Sequence, residues 1–395
     1  MVMNMNNKNW VSVWGNAVSI AEHHPEAYAK YITLRYPVYI PFDGDTLRFT
    51  FDNFCGSEAV TVTRATVSAA TSPVYEKMPL ACPCKKETIC DITFSKNESV
   101  TMEAHQTAVS DPVSFPVKKG MTLTVSLYFA DFTLMQSAVL VTGPLSKGFF
   151  SLGDQTHADA LPMDTTKTTN WFYFLSNIEL MTAEGNHTVI CYGDSITAGA
   201  WPDYLTLLAR QNPDNHTAFI RRATSGSRVL RQYECITYDS YGLKGTNRFP
   251  HEIPTTGADT VIIQQGINDI IHPVGIETNP FRPMSDLPTV KELIDGYRYY
   301  IEEAKKSHLK VYMGTLLPIF GWRTYATFRD DLRNELNAWI RSAKEIDGCI
   351  DFDLALRGSE NPSAFREGFD SGDHLHPSSK AYQAMAECAY EVLRK

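Results

Sequence analysis

The chain has 395 residues, of which 43% are hydrophobic and 21% charged, and its formal net charge is −9. This length suffices for two hydrophobic cores, and the composition is that of an ordinary globular protein. The acidic balance and the absence of a Lys/Arg run argue against nucleic acid and anionic membranes as partners, and they disfavour a strongly anionic substrate.

The first residues, MVMNMNNKNWVSVW, lack a basic segment followed by an apolar one, so no signal peptide is predicted. No apolar run approaches the ~18 residues needed to span a bilayer. The cysteines are mostly scattered singly, which is typical of a reducing compartment. The stretch CPCKKETIC groups Cys82, Cys84 and Cys90 without a fourth ligand, which favours free thiols over a metal site. The sequence therefore predicts a cytoplasmic protein without a bound metal.

The amino-terminal part of the chain is rich in segments with the character of β-strands. YITLRYPVYI, DTLRFTFDNF, AVTVTRATVSAA and MTLTVSLYFA are rich in Thr, Val, Tyr and Phe, and turn signals separate them. Short strands without intervening helices predict an antiparallel, jelly-roll-like β-sandwich domain over residues 1–182.

From residue 187 the pattern changes. Apolar runs such as TVICY, TVIIQQG and KVYMGTLL alternate with segments of helical period such as TVKELIDGYRYYIEEAKKSH. This alternation predicts an α/β domain over residues 187–395, with a parallel sheet covered on both faces. Sites in such folds lie at the carboxyl ends of the strands.

The first of these strands ends in Gly193-Asp194-Ser195-Ile196 and runs into a helix. A serine at such a turn has an exposed hydroxyl and an N–H near a helix amino terminus, which suits a nucleophile whose attack creates an oxyanion. An ordinary turn with an N-cap serine would look the same. Asp194 is a candidate for bracing this loop.

Two further strand ends provide possible hydrogen-bond donors. TSGSR places Gly226, whose backbone can approach a ligand closely, after the second strand. QQGINDI places the amide of Asn268 after the third. Each also fits a simple turn.

Near the carboxyl end, GDHLHPSSKAY holds two histidines beside two acids. Asp373 and His376 are three residues apart, close enough for the carboxylate to hold the imidazole and support its protonation by a serine. Pro377 is predicted to begin a helix. His374 lacks this spacing and is predicted to line the pocket or face water, and Asp370 is predicted to be a loop residue.

The blocks YGDSITAG, TSGSR, GINDI and DHLHP, in this order, resemble those of the SGNH hydrolases, also called GDSL esterases. The resemblance implies a flavodoxin-like three-layer α/β/α fold and no metal or organic cofactor. It implies Ser195 as nucleophile, His376 as base and Asp373 as its orienting acid. The N–H groups of Ser195 and Gly226 and the side chain of Asn268 would form the oxyanion hole. In the family the second block often reads Asn-x-x-x-x-Gly. Here Arg222 precedes the block and the stretch is one residue shorter.

A β-sandwich joined to an SGNH domain resembles bacterial carbohydrate esterases. The hypothesis is a serine ester hydrolase that removes O-acetyl groups from plant-derived oligosaccharides through an acyl-enzyme on Ser195. The alternatives are a lipid or thioester acyl hydrolase, a general esterase, a transacylase and an inactive carbohydrate-binding protein. The polar loops after residues 226 and 268 disfavour the apolar groove that a lipid needs. The expected partner is an oligosaccharide or small-molecule ester, and no oligomeric state is predicted.

Further side chains are candidates for lining the cleft or contacting substrate. They lie near the predicted strand ends, and the same residue types are common in protein cores or on surfaces. These candidates are Asp194, Trp201, Arg228, Arg248, His272, Trp322 and His374.

Overall fold

The computed structural model describes residues 8–21 and 28–394. Residues 1–7 and 22–27 of the predicted amino-terminal domain lie outside the described part. The structure divides into two compact units. One contains the described residues up to Thr188 together with Pro213–Ile220, and the other contains Val189–Asn212 together with the described residues from Arg221 onward.

The amino-terminal region consists mostly of antiparallel strands. The β-branched and aromatic residues that predict these strands pack well on a pleated surface. The described strands are β1 Lys8–Gly15, β2 Ser19–Ile20, β3 Tyr28–Ala29, β4 Ile32–Tyr39, β5 Gly44–Asp52, β6 Val60–Val62, β7 Arg64–Ala69, β8 Cys90–Ile92, β9 Val100–Met102, β10 Thr107–Val109, β11 Val113–Val117, β12 Thr122–Phe129, β13 Thr133–Leu134, β14 Ser137–Leu140, β15 Gly148–Leu152, β16 Lys167–Thr169, β17 Trp171–Tyr173 and β18 Leu175–Ala183.

Two larger sheets dominate this region. One has the order β1-β18-β5-β10, with β11 also pairing with β5, and the other has the order β16-β15-β4-β12-β7-β8. In β5 the residues Leu47, Phe49 and Phe51 alternate and are buried, as expected for a strand with one face in a core. Phe51 meets Phe94, which follows β8 of the other sheet, with ring centroids 5.4 Å apart. The predicted antiparallel β architecture is confirmed.

From residue 187 onward strands and helices alternate. The described elements are β19 His187–Gly193, α1 Ser195–Ala198, α2 Trp201–Arg210, β20 Thr217–Ala223, α3 Gly245–Glu252, β21 Ala258–Gln264, α4 Ile267–Ile271, α5 Val290–Lys306, β22 Lys310–Gly314, α6 Thr327–Ser342, β23 Gly348–Ile350, α7 Phe352–Leu356 and α8 Ser379–Leu393. Single 3₁₀ turns occur at Lys86–Thr88, Asp239–Tyr241 and Met284–Asp286. In the described ranges, no helix combines the length and the apolar character needed to cross a membrane.

The strands after residue 187 form one sheet of order β20-β19-β21-β22-β23. β21 pairs in parallel with β22, and β22 pairs in parallel with β23. Counted in chain order this is 2-1-3-4-5, the flavodoxin-like arrangement. Helix α8 contacts α2 and α7, whereas α5 contacts α3 and α6, so two helical layers cover the sheet. The predicted three-layer α/β/α fold is confirmed, and its strand order reverses between β19 and β21, where such folds place their crevice.

The helix ends show local causes. Thr289 and Glu292 form a reciprocal capping box at the start of α5. The last helix begins at Ser379 and not at Pro377, because the side chain of Ser378 caps it by accepting from the N–H of Ala381.

Trp201 lies in the core, which corrects the expectation that it contacts substrate. Its side chain is fully buried in α2, and its ring centroid lies 5.5 Å from that of Phe352. The indole Nε1 donates to Thr197 Oγ1 at 3.3 Å. The large apolar side chain of Trp201 therefore packs the start of α2 against Phe352.

We expect Trp201→Ala to lower the free energy of unfolding by about 3–5 kcal/mol, because it removes a fully buried aromatic side chain. Trp201→Phe, the control, keeps most of the volume and should cost much less. Urea unfolding followed by circular dichroism measures both. Unchanged stability with a raised KM in Trp201→Ala would instead indicate a substrate contact.

Candidate active site

Ser195 begins α1, directly after strand β19. Its side chain is half-buried, and Asp194 caps the helix by accepting from the N–H of Ile196 at 3.0 Å. Gly193 is required at this turn, since a Cβ there would lie 2.3 Å from the backbone oxygen of Gln264. The nucleophile candidate thus follows the strand at the point where the sheet order reverses.

The buried guanidinium of Arg248 holds this turn by hydrogen bonding. Arg248 Nη2 donates to the carbonyl of Gly193 at 2.9 Å, and Nη1 donates to Glu252 at 2.7 Å. The N–H of Thr224 donates to the same carbonyl at 3.1 Å. Arg248 is buried, so the expectation that it lines the cleft is corrected: its hydrogen bonds hold the turn.

His376 connects the serine to an acid. Its Nε2 lies 2.9 Å from Ser195 Oγ, and its Nδ1 lies 2.6 Å from Asp373 Oδ2. An ionised carboxylate only accepts, so Nδ1 carries the proton and Nε2 accepts from the serine hydroxyl. This is the arrangement in which an imidazole removes a serine proton and a carboxylate stabilises the resulting imidazolium.

Asp373, the acid that contacts His376, is held in its charged form. Burial raises the pKa of Asp373, but hydrogen bonds from the ring of His376 and from the N–H groups of His376 and Leu375 outweigh burial and lower it to about 2. Asp373 Oδ1 accepts these two N–H groups at 2.8 and 3.0 Å. Asp373 is therefore ionised at neutral pH.

A second Asp–His pair lies beside the first. His374 Nδ1 is 2.5 Å from Asp370 Oδ2, and the side chain of His374 is 50% exposed. Its backbone has a φ of 64°, and a Cβ added to Gly321 would lie 2.8 Å from its ring. His374 therefore packs on the loop at Gly321, and the structure gives it no contact with Ser195 within the described residues.

The three oxyanion-hole candidates follow neighbouring strands. Gly226 has a φ of +76°, and the ring of Tyr241 occupies the space where its Cβ would be, 2.3 Å away. Asn268 is buried at the start of α4, and its Nδ2 donates to the carbonyl of Ser227 at 3.1 Å. In the described structure, the N–H groups of Ser195 and Gly226 donate to no acceptor. All three candidates thus retain an N–H that an oxyanion can accept from.

Three other predicted substrate contacts are buried. Asp194 is fully buried as the cap of α1. Arg228 pairs with Asp286 at 3.1 Å and lies over the ring of Tyr233. His272 stacks on Tyr241, with ring centroids 5.3 Å apart. These side chains shape the walls of the site region, whereas the sequence offered them as contacts for substrate.

Trp322 is half-buried, and its Nε1 has no hydrogen-bond acceptor within the described chain. It follows Gly321, the residue that His374 contacts. Of the predicted contacts, Trp322 and His374 are the ones with accessible surface.

Sequence reasoning missed Tyr241 and Arg282. Tyr241 covers Gly226, and Arg282 is a buried cation in the loop between α4 and α5. The tyrosine-rich stretch YECITYDSY, residues 233–241, is the signal that would have indicated an aromatic wall. Among the residues that the structure describes, no three His, Cys, Asp or Glu side chains are arranged to hold a metal ion.

The buried acid of the cap predicts a pH effect on stability. Burial raises the pKa of Asp194 from 3.8 to about 7, and the nearby Asp269 adds to this. Since the unfolded chain loses this proton at lower pH than the folded one, the stability contributed by the protonated acid is present below about pH 4 and is lost as the pH rises to about 7.

We expect that Asp194→Asn, which keeps the capping oxygen, does not lose this stability as the pH rises. The free energy of unfolding of the variant relative to the native chain should rise between about pH 4 and about pH 7. Urea unfolding at several pH values measures the difference, and Glu360→Gln is the control for an exposed acid. A difference independent of pH would show that folding does not change the pKa of Asp194.

The sequence matches the GDSL-like lipase/acylhydrolase family over residues 191–384. No curated relative matches it. A GDSL-like lipase from Bacteroides thetaiotaomicron is similar in structure, at 20% identity, covering 52% of this chain and 87% of that one with a TM-score of 0.39. An acetyl xylan esterase from Geobacillus stearothermophilus is similar at 18% identity, covering 52% and 94% with a TM-score of 0.41. The match of the family model identifies residues 191–384 as a domain of the GDSL-like lipase/acylhydrolase family.

Proposed function

We propose that the protein removes O-acetyl groups from oligosaccharides through an acyl-enzyme on Ser195. The observation that supports this most is the hydrogen-bond chain from Asp373 through His376 to Ser195, with distances of 2.6 and 2.9 Å. These are distances at which a base can take a serine proton.

In the first half-reaction Ser195 Oγ attacks the acetyl carbonyl carbon and its proton passes to His376 Nε2. The N–H groups of Ser195 and Gly226 and the amide of Asn268 stabilise the oxyanion, and one such donor is worth ~10²–10³ in rate. The ester C–O bond then breaks, and the leaving sugar oxygen takes the proton from His376. In the second half-reaction water attacks the acyl-enzyme, His376 takes the water's proton and returns it to Ser195, and acetate leaves.

The side chains around the site are consistent with an ester whose alcohol part is a sugar. Tyr233, Tyr238 and Tyr241 form a cluster, with Tyr238 and Tyr241 centroids 5.5 Å apart, and Tyr241 covers Gly226. Trp322 lies half-buried on the side of His374. Aromatic rings combined with polar side chains bind sugars by stacking and hydrogen bonding.

A second candidate, a lipid or thioester acyl hydrolase, is favoured by one observation. The loop after Asn268, which the sequence describes as polar, also exposes Ile276, Phe281 and Met284. A series of 4-nitrophenyl esters from acetate to octanoate separates the candidates. The acetylesterase proposal expects kcat/KM to fall with chain length, and a rise toward octanoate would favour the lipid reading.

Ser195→Ala should abolish acetate release from acetylated xylo-, manno- and pectic oligosaccharides, by at least about 10³-fold, because it removes the nucleophile. Ser379→Ala, at the exposed start of α8, is the matched control and should release acetate at the native rate. Release is measured with a coupled acetate assay. Native-level release by Ser195→Ala would contradict the acyl-enzyme, and no release from any sugar would contradict the acetylesterase proposal.

Asp373→Asn should lower kcat/KM by about 10²–10⁴-fold, because an amide cannot stabilise the imidazolium of His376 and permits the wrong tautomer. Asp370→Asn changes the neighbouring Asp–His pair in the same way and should have little effect. Both variants are compared with 4-nitrophenyl acetate. Equal losses would indicate that the two pairs act together, against the assignment of His376 alone as base.

A further inference from the structure

Arg282 is a buried cation without an acid. It lies in the loop between α4 and α5 with 8% of its surface exposed. Its guanidinium carbon lies 5.7 Å from the ring centroid of Tyr238. Within residues 8–21 and 28–394 no carboxylate pairs with Arg282, and its Nε has no acceptor. Arginine stays charged at any accessible pH, so burying it without an anion is strongly unfavourable.

Positive charge is in excess around Arg282. Burial and then the charges of Arg282, Arg228 and Arg323 lower the pKa of His272, so this ring is neutral at neutral pH. The acids nearby have other partners: Asp286 pairs with Arg228 and, at 3.8 Å, with Arg231, and Asp269 also interacts with the charge of Arg228. Within the described part of the chain no salt bridge joins Arg282 or the exposed Arg323 to an acid.

The same region holds buried N–H donors without acceptors. Arg282 Nε, Arg228 Nε and Trp322 Nε1 have none within the described chain, and His272 Nδ1 also lacks a partner. Buried donors in native structures are nearly always paired. Water would satisfy the N–H groups but not the charge of Arg282. A carboxylate satisfies both, because it is an anion that only accepts hydrogen bonds.

This region adjoins both sides of the candidate active site. The ring of Tyr241 covers Gly226 and also stacks on His272. His272 is the carboxyl-terminal cap of α4, the helix that contains Asn268. On the other side Arg323 lies over the ring of Trp322, 4.7 Å from its centroid. Arg282 is linked to Gly226 through two rings, because it lies over Tyr238, whose centroid is 5.5 Å from that of Tyr241.

We propose that the substrate carries a carboxylate, as a uronic acid unit does, and that Arg282 binds it beside the ester cleaved at Ser195. The proposal rests on the ester hydrolysis proposed above and adds the charge of the substrate. It reverses the expectation from the net charge of −9, because the field at a cleft depends on the charges nearest to it.

The test compares acetylated galacturonic acid oligosaccharides with the same oligosaccharides whose carboxylates are converted to carboxamides. The native chain should favour the acid form about ten- to a hundredfold in kcat/KM, mainly through KM. Arg282→Gln should bring the ratio near one, and Arg282→Lys should retain part of it. Arg231→Gln removes an exposed arginine from the same neighbourhood and should leave the ratio unchanged.

Hydrolysis of the neutral ester 4-nitrophenyl acetate reports whether each variant is folded and active. If Arg282→Gln loses this activity, inhibition of the native chain decides: the deacetylated acid oligosaccharide should inhibit about tenfold or more better than its carboxamide. Equal kcat/KM for the two forms, with hydrolysis still dependent on Ser195, would overturn this inference alone. Ester hydrolysis that does not depend on Ser195 would overturn the proposed function and this inference with it.

Discussion

The carbonyl oxygen of Gly193, at the end of β19, accepts hydrogen bonds from Arg248 and from the N–H of Thr224. These bonds tie the nucleophile turn to α3 and to the residue after β20. The charge of Arg248 is in turn balanced by buried Glu252. Removing either member would leave the other charged and buried. The position of Ser195 thus depends on a buried ion pair that does not itself contact the serine hydroxyl.

The carboxyl-terminal loop presents the same chemical unit twice, with different outcomes. Asp370 with His374 and Asp373 with His376 are both close Asp–His pairs. His374 adopts a left-handed backbone conformation and packs on Gly321, whereas His376 reaches Ser195. Backbone direction, and not the chemistry of the side chains, separates the candidate base from its neighbour.

Around the candidate serine, histidine and acid, the site region contains several arginines and aromatic rings. Arginines and aromatic rings surround His272, and their charge is opposite to that of the chain as a whole. Exposed apolar side chains lie on the loop that carries Arg282. Local charge and apolar surface of this kind select among substrates, while the serine, histidine and acid set the reaction.

The sequence by itself determined the succession of an antiparallel β region and an α/β region, because residue period and turn signals are local. It also indicated Ser195, Gly226, Asn268 and the spacing of Asp373 and His376, because strand ends and single turns bring these residues together. The start of the last helix was misplaced by two residues, since proline and serine both mark helix starts.

Only the tertiary structure decided which of the remaining side chains are buried. The burial of Trp201 depends on Phe352, that of Arg228 on Asp286, and that of His272 on Tyr241. These partners are far apart in sequence, and no local pattern of charge or period shows that they meet. The burial of Arg282 without an acidic partner is also visible only in three dimensions, because it depends on which residues pack around this side chain.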